Sequence, residues 1–242
     1  MRHCCGMRPV LNLLVPSRCD GCGARADPPW CAACAAVARS LRPDRPCGRC
    51  AGPDVAGHAC WDRGAPIDGT IAVTRWTGVV AAAITQAKLA GRAEVFAALG
   101  TELAAVVHRA SVRVDVIVPV PTDPRRARLR GTDHTLILAQ AVADCLGVPA
   151  VRAARVRGRL PDRGLQHSSN AAPAGRDRRV GCVVVPHPAS VAGAHVLLVD
   201  DLVTTGVTLV QTADPVRRAG ADRITAAVIA RAGTHTLGRD WG

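Results

Sequence analysis

The chain has no tyrosine, one phenylalanine and four tryptophans. Aromatics make up 2% of its 242 residues, yet 48% are hydrophobic. A sizeable core must therefore be packed from Ala, Val, Leu and Ile. The same shortage leaves few rings for stacking nucleobases: Trp30, Trp61, Trp76, Trp241 and Phe96. Lysine is almost missing too, and Lys88 is the only one. Where nearly every cation is Arg, a lone Lys suggests a position that requires a compact ammonium. Acids are scarce: 19 Asp and Glu against 31 Lys and Arg give a formal net charge of +12. Expected partners are anionic, either phosphates or a nucleic-acid backbone, unless the excess is only a compositional tilt toward Arg. No stretch approaches the roughly 18 apolar residues of a membrane span. The apolar run at 10–15 is too short for a secretory signal. The expectation is a cytoplasmic protein without membrane insertion.

Against these absences one stretch stands out, Val-Leu-Leu-Val-Asp-Asp-Leu-Val-Thr-Thr-Gly-Val-Thr-Leu at 196–209. Four apolar residues predict a short, buried parallel strand. Asp200 and Asp201 are expected at its carboxyl end, where open α/β sheets bind ligands. Thr204, Thr205, Gly206 and Thr208 lead into an apolar-periodic helix. Loop hydroxyls, backbone N–H groups and the helix N-terminus together make an anion pocket. Gly206 allows close backbone approach to a phosphate. Ionised Asp200 and Asp201 only accept hydrogen bonds, which suits sugar hydroxyls or a metal beside a polyphosphate.

The eleven cysteines fall largely into Cys-x-x-Cys pairs. In a reducing compartment such spacing points to metal rather than disulfides. Cys19, Cys22, Cys31 and Cys34 can complete a tetrahedral Cys₄ zinc site. A second set, Cys47, Cys50 and Cys60, lacks a fourth cysteine because position 63 is Arg. Either His58 completes a Cys₃His site or this half has lost its metal.

The remaining pattern alternates strands and helices. Strands are expected at 67–76, 115–120, 182–185, 196–199 and 223–230. Helices are expected at 78–90, 92–109, 134–147 and from 209 to about 219. This alternation predicts an α/β fold with a mostly parallel sheet flanked by helices. The division expected is a Cys-rich double zinc-ribbon-like module over 1–63 and a larger domain over 64–242. Arg125 and Arg126, after the strand near 118, offer planar forks for polyphosphate oxygens. Residues 152–181, rich in Arg and Gly, are expected to form a long loop over the site.

The 196–209 stretch resembles the phosphoribosyl pyrophosphate (PRPP) motif of type I phosphoribosyltransferases: four hydrophobic residues, two acids, two hydrophobic residues and a Thr/Gly loop. The whole order of parts resembles the ComF/GntX (competence protein F-like) family, which joins an N-terminal zinc finger to a type I phosphoribosyltransferase domain. The resemblance also rests on Leu-Leu-Val-Pro-Ser-Arg-Cys at 13–19, Arg75-Trp-Thr-Gly78 with Lys88 beyond it, Val118-Pro-Val-Pro121, and Arg130-Gly131. Thr132-Asp133-His134 departs from the family's Phe-Asn-Gln.

The resemblance implies an enzyme binding Mg²⁺-PRPP. Asp200 and Asp201 would hold the ribose, and Thr204, Thr205, Gly206 and Thr208 the 5′-phosphate. Arg125 and Arg126, with Lys88, would meet the pyrophosphate. Asp200, Asp201 and Lys88 are the candidate catalytic residues, Zn²⁺ is the structural metal, and a nitrogenous base is an expected acceptor. The rival expectation is a non-catalytic sensor of PRPP or a nucleotide, or a single-stranded DNA-binding protein linked to DNA uptake.

Overall fold

The computed structural model describes residues 18–26, 30–42, 46–52, 60, 64–123, 127–128, 131–157 and 183–232. In chain order its elements are α1 (Ala32–Ser40), β1 (Gly69–Arg75), α2 (Gly78–Ala90), α3 (Ala93–Arg109), β2 (Val116–Pro119), α4 (His134–Leu146), β3 (Arg155–Val156), β4 (Val183–Val184), β5 (His195–Val203), α5 (Val207–Arg218) and β6 (Arg223–Arg231). Helix α1, cut from an Ala-rich stretch, had no counterpart among the sequence expectations.

The main sheet has the order β1-β6-β5-β2, with all three pairings parallel. Parallel strands aim their carboxyl ends one way, so the loops after β1, β2, β5 and β6 share one edge. Strand β5 is central and buried on both faces. Leu197 and Val199 pack with α2, α3 and α4, whereas Val196 and Leu198 pack on the other side with Leu209, Ala213 and Val216 of α5. That two-sided burial explains why this segment reads as a continuous apolar run rather than an alternating one. The short β3–β4 pair is antiparallel. Its strands stand on either side of residues 158–182, which lie outside the described residues and include most of the Arg-rich 152–181 stretch.

Helix α2 buries Val80, Ala83, Ile84 and Ala87, the spacing of one helical face. It stops at Gly91, whose φ of 64° is the left-handed conformation that commonly ends helices. Helices α3 and α4 approach closely at Gly100: a Cβ built there would lie 2.6 Å from Ala141 Cβ and 2.9 Å from the Leu138 carbonyl oxygen. Phe96, the single phenylalanine, is fully buried against the His134 ring, with centroids 4.4 Å apart.

The Cys-rich segment packs directly on this scaffold. Thr74 of β1 donates its hydroxyl to the Ala38 carbonyl of α1, at 2.9 Å. Thr70 N–H donates to the Gly48 carbonyl, also at 2.9 Å. The 46–52 turn thus occupies part of the edge of β1 that β6 leaves open, and satisfies a strand donor there.

Candidate functional site

The acidic pair does not follow the strand, as the sequence suggested, but lies within it. Strand β5 runs on to Val203, and Asp200 and Leu202 pair in register with Val228 and Ala230 of β6. The ladder with β6 overrides the poor strand preference of Asp. Alternation then sends the two carboxylates to opposite faces of the sheet. Asp201 is 7% exposed and forms an ion pair with Lys88 Nζ. The lone lysine, from the last turn of α2, is thus brought onto the acidic pair from 113 residues away in sequence (201 − 88).

Asp200 is half-buried. Its Oδ1 accepts the Asp201 N–H at 2.8 Å. Burial, reinforced by the neighbouring Asp201 charge, pushes its carboxyl up to about 8, against the pull of that N–H and of Lys88. Two adjacent acids in different environments can thus hold different charges at neutral pH. Without ligand, Asp200 is a neutral acid beside an ion-paired neighbour.

Beyond Val203 the chain turns through Thr204 and Thr205, both exposed, to buried Gly206. Gly206 has φ 73°, ψ −3° and is the residue before the first turn of α5. A side chain there would be strained. It also supplies no side-chain cap, so the opening N–H groups of α5 are not capped from that position. Thr208 in the first turn is exposed. Hydroxyls, amide donors and a helix N-terminus therefore gather in one loop, an arrangement suited to an anion.

The loop after β2 reaches the same edge of the sheet. Asp133 organises it. Its Oδ1 accepts from the Thr122 hydroxyl at 3.1 Å, the Thr135 hydroxyl at 3.0 Å and Leu136 N–H at 3.4 Å. Its Oδ2 takes Arg152 at 3.0 Å. A sequence comparison sees only a departure from Phe-Asn-Gln. The structure shows a helix cap that also ties down two loops, and a His134 that fills a buried slot. The spacing Asp133-x-Thr135 before an apolar run was the available signal. Arg125 and Arg126 lie outside the described residues. A cleft of about 570 Å³ lies at the opposite end of the strands, lined by Gly69, His195 and Thr225 among others. It contains none of the candidate PRPP residues.

Cys19, Cys22, Cys31 and Cys34 converge, with sulfurs all within 4.8 Å of one another. Cys47, Cys50 and Cys60 do the same. The Cys22–Cys31 and Cys47–Cys60 sulfur separations are 3.8 and 3.7 Å. A tetrahedron with Zn–S bonds of about 2.3 Å has edges of about 3.8 Å, whereas a disulfide would need about 2 Å. Both sets therefore have the dimensions of a zinc–thiolate site. Burial opposes the Cys19 thiolate, but the backbone N–H groups of Cys31, Cys22 and Gly21 outweigh it and pull the thiol down to about 6. Burial and neighbouring thiols push Cys34 up, and Cys60 to about 12. Crowded thiols of this kind are relieved when a metal takes their protons' place. His58, the candidate fourth ligand if the second set has kept its metal, lies outside the described residues. Asp20, inside the first Cys-x-x-Cys pair, is 6% exposed and forms an ion pair with Arg92, the residue before the first turn of α3.

Strand, acidic pair, Thr/Gly loop and helix define a phosphoribosyltransferase-type domain, and residues 132–240 match the phosphoribosyl transferase domain family. The chain is 30% identical over 211 residues to the DNA utilization protein YhgH of Salmonella typhi, covering 79% of this chain and 85% of that one. It is 29% identical over 198 residues to the protein of the same description in Salmonella typhimurium, covering 75% and 76%. A purine phosphoribosyltransferase from Pyrococcus horikoshii aligns at 19% identity over 60% of this chain and 79% of that one, with a TM-score of 0.37. The chain belongs to the ComF/GntX family. Its fold is the type I phosphoribosyltransferase fold, a parallel sheet flanked by helices, with an N-terminal cysteine cluster compatible with a zinc module.

Proposed function

We propose that the protein binds Mg²⁺-PRPP at the carboxyl edge of its sheet and transfers the phosphoribosyl group to a nitrogen nucleophile. The observation that carries this reading is the Lys88–Asp201 ion pair beside Asp200, immediately before an anion-ready loop. The 5′-phosphate would sit on Thr204, Thr205, Gly206 and Thr208, with the ribose hydroxyls on Asp200 and Asp201. Mg²⁺, when bound with PRPP, would neutralise charge on the leaving pyrophosphate, and carboxylate oxygens suit so hard a cation. Arg125 and Arg126 are the proposed pyrophosphate clamps. Lys88 orients Asp201 through their ion pair, and its ammonium lies next to where negative charge would gather. Asp200 must give up its proton to present a full negative charge to the ribosyl centre, so ligand binding and proton release are linked. The fixed carboxylates would then stabilise the cationic ribosyl centre as the bond to pyrophosphate breaks.

The Cys-rich module of 1–63 is, in this reading, a zinc-held flank of the transferase domain of 64–242. Incubation of the zinc-loaded protein with Mg²⁺-PRPP and a panel of nitrogenous bases tests the proposal through pyrophosphate release. Release that depends on one class of base supports transfer; PRPP binding without release for any base reduces the reading to sensing.

The relatives' description as DNA utilization proteins, with the net charge of +12, favours a second reading as a single-stranded DNA binder. The described aromatics argue against a stacking platform. Phe96 is buried, Trp76 packs on the core, and Trp30 packs there too while donating to Glu102 at 3.1 Å. Binding would then run through phosphates and fall steeply with salt. Affinity that barely changes between 50 and 200 mM salt, concentrations over which about six phosphate contacts would cost ~1,000-fold, would eliminate it.

A further inference from the structure

Arg231 ends β6 between Arg75 of β1 and Val203 of β5. It is 6% exposed. Its Nε donates to the Cys50 carbonyl at 3.1 Å. Its Nη1 donates to the Thr204 carbonyl at 3.2 Å, and also to the carbonyl of Ala232. Among the described residues no carboxylate forms an ion pair with it. One buried planar cation therefore spans the second cysteine set and the loop before α5.

Both ends of this span are conformationally specific. At one end, Ala51 N–H donates to the Cys47 carbonyl and Cys47 N–H to the Gly52 carbonyl, each at 2.8 Å. Ala51 takes φ 54°, which a residue with a side chain rarely adopts. A metal held by Cys47 and Cys50 would brace this turn and fix the direction of the Cys50 carbonyl. At the other end, a trans peptide points its C=O and N–H in opposite directions. Holding the Thr204 carbonyl against Arg231 therefore aims the Thr205 N–H away from Arg231, as one of the loop's donors. A flexible point charge could not bridge two carbonyls in one plane as a guanidinium does.

We infer that Arg231 is a positioning residue coupling metal occupancy of the Cys47, Cys50 and Cys60 set to the order of the 204–208 loop. Its consequence for PRPP affinity rests on the reading of that loop as the phosphate site; the coupling itself does not.

Hydrogen exchange of the full-length protein tests it, with peptides covering 200–210 followed without ligand and zinc content measured alongside. Wild type with both sets filled should protect the amides that close the loop on either side, Asp201 N–H on Asp200 Oδ1 and Val210 N–H on the Gly206 carbonyl. Arg231→Gln and Cys47→Ser/Cys60→Ser should each speed loop exchange about tenfold, the loss expected for a hydrogen bond to a charged group. Combining them should add little, because both break one chain of contacts. A merely structural role would instead spread faster exchange over β5 and β6. Loop exchange within twofold of wild type in either variant, independent additive effects, or a wild type that holds one zinc would overturn the inference. If the variants do not fold, graded chelation of wild type decides: loss of the second zinc must release the loop. Calorimetry with Mg²⁺-PRPP separates the two claims. Wild type with a zinc-protected loop and no PRPP binding contradicts the proposed function but leaves the coupling intact.

Discussion

Asp200→Asn should stabilise the ligand-free protein while abolishing its proposed binding. Asp200 in the fold holds its proton to about 8 because burial and Asp201 disfavour the anion; unfolded, it releases it near 3.9. Between those values the native state binds more protons than the unfolded state, so wild-type stability falls as pH rises. Below about pH 4 both states are protonated and the group contributes its full stabilisation. By pH 8 that contribution has been lost. At pH 7 the span from 3.9 corresponds to a ceiling of about 4 kcal/mol. Asp200 is only half-buried, and screening and relaxation reduce this to about 2 kcal/mol. Asn is isosteric and uncharged, keeps an oxygen to accept the Asp201 N–H, and escapes the penalty. For a chain of this size about 2 kcal/mol is a rise in Tm of roughly 5 °C. Thermal unfolding of wild type and variant from pH 4 to pH 8.5 measures it. The two curves should meet near pH 4 and diverge steadily upward. A variant less stable at pH 8, or a difference independent of pH, would refute the electrostatic account of the pair.

Lys88→Met should weaken Mg²⁺-PRPP at least tenfold, since Asp201 loses its partner and a buried carboxylate is left uncompensated; titration calorimetry reads this. Gly100→Ala should destabilise by about 2 kcal/mol despite the usual helix gain from Ala, because its Cβ would meet Ala141 at 2.6 Å; a urea melt checks both sign and size. Cys19→Ser should cost one zinc equivalent by elemental analysis and lower Tm, since Asp20 in the same knuckle is anchored to Arg92. PRPP binding at pH 7 should release close to one proton from Asp200, seen as a buffer-dependent heat, and should release almost none at pH 9.

What the sequence disclosed and what it hid follow from the reach of each interaction. The 196–209 segment was legible because its chemistry is contiguous: strand, acids, loop and helix succeed one another in the order the fold uses. Lys88 was legible only as a compositional oddity, and its partner Asp201 became visible once α2 was laid against β5. The continuation of β5 through two aspartates was hidden, because it depends on pairing with β6 rather than on local preference. Helix α1 was hidden because its start is capped by a cysteine sulfur, with Cys34 N–H 3.5 Å from Cys31 Sγ, which no ordinary capping rule anticipates. The cap made by Asp133 has a local signature, but its tie to Arg152 spans 19 residues and that of Arg231 to Cys50 spans 181, beyond any local pattern.

The most direct measurement is isothermal titration of the zinc-loaded protein with PRPP and Mg²⁺, beside a folded Asp200→Asn/Asp201→Asn variant. The account predicts saturable binding by wild type and none by the variant. Equal binding by both, or no binding by a zinc-replete wild type, would contradict the placement of PRPP on the acidic pair.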